Sequence, residues 1–267
     1  MSTDPLHCWI WNEGGFLPAS GFPFSDRGVR YGMAVFETIR VVAGHAQFWE
    51  LHADRIKTAA LQCGFWVSEG VLADARNCIG GKNLNGVARL YVTAGDGGPA
   101  DPVLQSRVAL LLEERQRILP SAYSIAVCPE MHLPLFKGLK TANYWSNASS
   151  LRDARVQGAN EALLSNPAGT IVGCCMANVF LHTQAAGWIT PSLSTGARQG
   201  VVREWAMERL DVQEAEIHAS TLDEIDAGFL TSSWVGIMPI GSLLGRVLSL
   251  RSDATDLRQT FETLPVP

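Results

Sequence analysis

Lys140 lies in the run Gly138-Leu139-Lys140-Thr141-Ala142, whose other members are small or apolar. A lysine in such company can occupy a partly desolvated pocket, where its ammonium pKa falls and the amine becomes a nucleophile toward an aldehyde. Most lysines are solvated surface charges, so these neighbours permit the chemistry without demanding it. Two other places suit an anion. Gly200-Val201-Val202 opens an expected helix, where free N–H groups and the helix dipole favour a phosphate, and Ser232-Ser233 follows the apolar run Phe229-Leu230-Thr231. Glycine-to-helix junctions and serine pairs also serve purely structural ends. The adjacent Cys174 and Cys175 could be redox-active, although buried thiols in or beside a strand are the simpler reading.

These residues need elements to hold them. Residues 35–42 are rich in β-branched side chains and end at Ala43-Gly44, a turn signal, so a hairpin is expected with the run resuming at Ala46. Helical spacing of Phe48, Leu51, Ile56, Ala59, Ala60 and Cys63 predicts a helix over 48–63, stopped by Gly64. Strands are expected at 89–94, 107–112 and 124–128, with a domain boundary near Pro120 that divides the chain into 1–119 and 120–267. Beyond it a helix within 146–157, strands at 161–164, 170–174 and 179–182, and a helix from Val201 to Leu210 follow. Thr221-Leu222-Asp223-Glu224 reads as an N-capping box announcing a further helix, and 229–231 as a short buried strand.

The 267 residues are 47% apolar and 18% charged, a composition that buries a core without disulfides or metals and excludes a disordered chain. The formal net charge is −5 with no basic stripe, which argues against nucleic acid as a partner. No apolar run reaches the roughly 18–20 residues of a membrane span, and the first residues lack a leader pattern, so a cytoplasmic protein is expected. The six cysteines show no zinc-ligand spacing and read as reduced thiols; no metal site is expected.

The segment Asp26-Arg27-Gly28-Val29-Arg30-Tyr31-Gly32-Met33-Ala34-Val35-Phe36-Glu37-Thr38-Ile39-Arg40 resembles the opening signature of the class IV, fold type IV, aminotransferases. The resemblance continues through His52-Ala53-Asp54-Arg55, Lys140-Thr141-Ala142-Asn143-Tyr144, Cys174-Cys175-Met176-Ala177-Asn178, Gly200-Val201-Val202-Arg203 and Phe229 to Ser233. It implies an α/β fold of the α+β type, with a small N-terminal domain, a larger C-terminal domain carrying the lysine, and pyridoxal 5'-phosphate in the cleft between them. A homodimer acting on small amino and keto acids is implied as well. Lys140 matches the lysine that forms the internal aldimine and then shuttles a proton. Arg55 matches a phosphate-binding arginine, Val201 and Val202 the loop whose amides hold the same phosphate, and Ser233 a phosphate-binding threonine. Tyr144 and Asn178 fall at cofactor-binding positions, whereas Tyr31, Phe36 and Trp234 fall on the substrate side.

Three positions depart from the pattern. Gly173 stands where the family has a glutamate that keeps the pyridine nitrogen protonated, Ala94 where several subgroups place an arginine for the substrate carboxylate, and Trp234 where alanine is usual. An indole there fills substrate space or stacks on an aromatic substrate. An aminotransferase is the leading expectation. The Cys-Cys-x-Ala-Asn-x-Phe segment points alternatively to aminodeoxychorismate lyase, and the three departures to a member that has lost catalysis and binds a metabolite or partner.

Overall fold

The computed structural model describes residues 6–133 and 138–265. Packing divides the chain into two units: residues up to Ile118 with the segment Lys140–Asn143, and Leu119–Leu139 with Tyr144–Leu264.

In the first unit, six strands among the described residues form one antiparallel sheet. They are β1 (Leu6–Asn12), β2 (Gly15–Pro18), β3 (Ala34–Val42), β4 (His45–Ala46), β5 (Gly86–Thr93) and β6 (Arg107–Glu114), in the order β2-β1-β6-β5-β3-β4. The short helix α1 (Arg27–Tyr31) precedes β3, and α2 (Trp49–Gln62) and α3 (Glu69–Gly80) pack on the sheet. Ile39, Ile56, Leu72, Ile79, Leu90 and Leu110 are fully buried where helices meet strands. The expected hairpin forms: Val41 pairs with Ala46 and Val42 with His45. Its two-residue turn places Ala43 and Gly44 at φ 47° and 78°, the twist that joins antiparallel strands most readily. The helix predicted over 48–63 is α2, with Phe48 as its N-cap residue.

The strand-like segment around Lys140 joins this unit through backbone bonds. Phe36 N donates to Lys140 O at 2.9 Å, Ala142 N donates to Ala34 O at 2.8 Å, and Thr141 bridges Val35. Lys140 was expected in the C-terminal domain by its place in the chain. Its packing puts it beside β3, because the N–H and C=O groups at the start of that strand need these partners.

The second unit carries a mixed sheet in the order β12-β11-β10-β13-β14-β7-β8-β9, with β15 paired to β14. Its strands are β7 (Tyr123–Met131), β8 (Glu161–Ser165), β9 (Ile171–Cys174), β10 (Asn178–Thr183), β11 (Gly187–Pro191), β12 (Val212–Ala215), β13 (Ala227–Ser232), β14 (Gly236–Leu243) and β15 (Arg246–Val247). Helix α4 (Trp145–Val156) packs on β7 and β8, α5 (Val201–Met207) on β13 and α6 (Ser252–Glu262) on β14. Leu163, Val179, Leu181, Leu230, Met238 and Ile240 form the centre of its core.

The helix announced by Thr221 does not form. Residues Ala219–Glu224 make a 3-10 turn, in which Thr221 Oγ1 donates back to His218 O at 2.9 Å instead of capping a helix start. Ile225 is already extended and β13 begins at Ala227, leaving no length for an α-helix. The expected helix from Val201 is shorter than predicted for a similar reason, ending at Met207 ahead of β12.

Candidate active site

In the first unit Lys140 is half-buried, and its Nζ lies 4.1 Å from the centroid of the Phe36 ring. Phe36, from the buried start of β3, stacks on Tyr91 of β5 with centroids 5.3 Å apart. An ammonium over an aromatic face is attracted by the ring quadrupole, so Lys140 is held against this pair rather than extended into water. One residue along β3, Glu37 is sealed from solvent at 1% exposure and holds two partners. Arg55 Nε donates to Oε1 at 2.7 Å and its Nη2 to Oε2, while His52 Nδ1 lies 2.7 Å from Oε2. His52 and Arg55 are one helical turn apart on α2, which puts both on the face toward β3. Burial alone would raise the Glu37 pKa, but the Arg55 charge and the bonds from both partners hold it at about 2. Burial pushes His52 below the usual imidazole range, so it stands neutral with Nδ1–H donated to the carboxylate.

Tyr31 ends α1, 38% exposed and under the Arg30 guanidinium at 4.8 Å. Ala94 is fully buried; its N–H is taken by Met33 O and its C=O by the Arg27 guanidinium. Its methyl is therefore inside the core.

In the second unit Tyr144 precedes α4, and its hydroxyl accepts a bond from Arg198 Nη1 at 2.8 Å. Asn178, the first residue of β10, donates from Nδ2 to Arg198 O at 2.6 Å. Its Oδ1 approaches Gly200 so closely that a Cβ there would come within 2.0 Å. Glycine is thus required where the chain turns into α5. Val201 and Val202 are 3% and 1% exposed, so their side chains belong to the core and only their backbone amides could meet a ligand. Gly200 offers no side-chain acceptor to the first amides of α5. Ser233 and Trp234 form the tip of the β13–β14 hairpin, where Ser232 Oγ accepts from Val235 N at 3.2 Å and fixes the turn. Trp234 packs its ring on the core, which favours a filling role over an open substrate shelf.

Gly173 lies in β9 at φ 143°, a conformation that side-chain-bearing residues avoid, so its backbone is adapted to glycine. A carboxylate, Glu161, stands on the neighbouring strand β8. Glu161 bonds to the N–H groups of Ala162 and Met176 at 3.1 Å each, and burial, only partly offset by those bonds, raises its pKa to about 7. Cys174 and Cys175 are buried and burial raises both thiol pKa values, which makes them inert packing residues.

The described residues include groups that fit a phosphorylated aldehyde: a half-buried amine, cationic guanidinium groups, and buried polar atoms without a protein partner. The last include Arg198 Nε and Thr231 Oγ1, and an oxygen-rich anionic ligand would satisfy such groups. No cluster of His, Cys, Asp and Glu that could hold a metal occurs among the described residues.

The family model described as amino-transferase class IV matches residues 34–243. The chain belongs to this family. It is 25% identical to D-alanine aminotransferase from Listeria innocua over 82% of this chain and 81% of that protein. It is also 25% identical to aminodeoxychorismate lyase from Bacillus subtilis over 81% of this chain and 79% of that one. The solved structure of an aminotransferase from Brucella abortus bound to the cofactor PLP superposes with a TM-score of 0.82 at 20% identity, covering 96% of this chain and 98% of that chain. The fold is accordingly that of fold type IV enzymes, and pyridoxal phosphate is the family's cofactor. No helix among the described residues is long and apolar enough to cross a membrane.

Sequence reasoning missed Glu37, His52 and Arg198. Glu37 and His52 stand inside the quoted motifs, yet only burial reveals that they clamp Arg55. Arg198 reads in sequence as a surface charge, and nothing in its spacing signals otherwise.

Proposed function

We propose that the protein is an aminotransferase that moves an amino group between a small amino compound and a keto acid, with Lys140 as the residue that takes pyridoxal phosphate covalently. The observation that carries this reading is the placement of Lys140, half-buried with Nζ against the Phe36–Tyr91 pair. The contact orients the amine, which must lose its proton before it attacks an aldehyde. When bound, the cofactor supplies an aldehyde for amines and a ring that draws electrons from the substrate's α-carbon. Lys140 Nζ provides the attacking amine and then carries a proton. Arg55, oriented by Glu37, offers charge-assisted bonds to the phosphate. The amides of Val201 and Val202 and the Ser233 hydroxyl serve the same group, by resemblance, while Asn178 holds the loop that precedes them. By resemblance, Tyr144 falls on the cofactor side and Tyr31, Phe36 and Trp234 on the substrate side. Gly173 gives the ring nitrogen no carboxylate, so proton removal from the α-carbon is expected to be slow.

The Cys174-Cys175-Met176-Ala177-Asn178-Val179-Phe180 segment and the lyase relative support aminodeoxychorismate lyase as the second reading. A homodimer and a cytoplasmic setting come with either reading as expectations of the resemblance.

Pyridoxal phosphate added to the purified protein is expected to give a borohydride-reducible chromophore that Lys140→Ala lacks. Amine transfer from D- or L-amino acids supports the first reading, and release of 4-aminobenzoate and pyruvate the second. No reducible chromophore in the wild type would overturn both.

A further inference from the structure

No carboxylate pairs with Arg198 among the described residues, whereas Arg203, whose Nε is likewise buried without a partner, bonds through Nη2 to Glu214 on β12. Arg27 is held by backbone carbonyls alone, but its Nε, Nη1 and Nη2 all donate to them. Arg198 is half-buried, and its Nε is sealed from solvent without a hydrogen-bond partner. Its Nη1 donates to the Tyr144 hydroxyl, and its guanidinium carbon lies 5.6 Å from the Tyr144 ring centroid. The backbone beneath it is pinned by Asn178. A guanidinium with an unsatisfied buried N–H and no counter-charge bears an electrostatic cost that an incoming anion removes. Planar donors of this kind match the two oxygens of a carboxylate or phosphate.

We propose that Arg198, with the Tyr144 hydroxyl beside it, is an oxyanion-binding residue of the second unit. The oxyanion is the carboxylate of a substrate or an oxyanion of the cofactor. The proposal deepens the functional reading above and rests on it for the identity of the anion, while anion binding itself can be tested without cofactor.

His132 provides the sensor, because burial and the Arg198 charge both hold its pKa below the usual imidazole range. In the cofactor-free protein, NMR titration of His132 with acetate or inorganic phosphate should raise that pKa in the wild type and leave it unmoved in Arg198→Met; Arg198→Lys, which keeps the charge, should retain part of the response. In the loaded protein, a substrate source predicts that Arg198→Met lowers kcat/KM for an amino acid roughly 30-fold or more while sparing the corresponding decarboxylated amine. A cofactor source predicts that pyridoxal phosphate binds roughly tenfold more weakly and that both donors suffer equally. If neither anion moves His132 and the variant matches the wild type in both assays, the proposal is overturned. Anion binding without any Lys140 chromophore would support Arg198 and defeat the functional reading alone.

Discussion

Glu37 is a carboxylate deprived of water yet kept charged, because Arg55 and His52 replace its hydration with three directed contacts. Its folded pKa of about 2 lies below the value of roughly 4.3 expected of an unfolded glutamate. A depressed acid contributes stability that is fully present above the unfolded pKa and is lost as pH falls through the folded one. The contribution here is on the order of 3 kcal/mol, disappearing between about pH 4.5 and pH 2. His52 acts in the same direction, since a histidine buried in neutral form must be charged as acid unfolds the chain. Glu37→Gln should therefore cost about 3–5 kcal/mol at neutral pH by stranding Arg55, and should flatten the acid limb of stability. Urea denaturation between pH 2.5 and 6 measures both; an unchanged acid limb would show that the carboxylate is not the group responsible. Arg55 thereby gains a fixed orientation but shares its charge with Glu37.

At the scale of elements, the turn into α5 depends on a close approach between the Asn178 side chain and Gly200. A Cβ at position 200 would collide with Asn178 Oδ1, and overpacking of this kind typically costs about 1–3 kcal/mol. Gly200→Ala should destabilise by that amount, and Asn178→Ala should recover part of it in the double variant. A coupling below roughly 0.5 kcal/mol in the denaturation cycle would refute direct contact. Much of the element pattern was legible because side-chain periodicity is a local property: α2, β3, β5, β6 and α4 all fall where apolar spacing places them. Helices α3 and α6 carried the same kind of signal and were not recognised; α3 even has its Ser68 cap, which accepts from Val71 N at 3.3 Å. The Thr221 box failed because the strand that follows at Ala227 limits the available length, a tertiary constraint that no local motif contains. Of the candidate site, Lys140, Arg55, Asn178 and Ser233 were reachable through motif. The Glu37–His52–Arg55 clamp and the uncompensated charge of Arg198 were not, because both depend on which side chains burial removes from water.

For the whole molecule, stability has a second titrating flank in the other unit. Glu161 has its folded pKa raised to about 7 by burial, so its contribution is present below about pH 4.5 and is lost as pH rises through 7. The second unit should weaken by a few kcal/mol across that interval and level off above it. Glu161→Gln, which keeps the hydrogen-bonding shape without the charge, should remove this decline, as a pH series of thermal or urea melts would record; a decline that survives the substitution would assign it elsewhere. The segment Lys140–Asn143 has a different kind of consequence, one of timing. The first unit's strand β3 receives its final backbone partners from Lys140 and Ala142, which are synthesised 22 and 24 positions after Ile118. At roughly 5–20 residues per second, this is a delay of a few seconds at most. Until then the amide of Phe36 and the carbonyl of Ala34 await their mates, so the N-terminal unit completes its fold only with the arrival of the lysine itself. A chain interrupted before Lys140 would release an unfinished sheet, so the segment Lys140–Asn143 is the closing piece of the unit it joins.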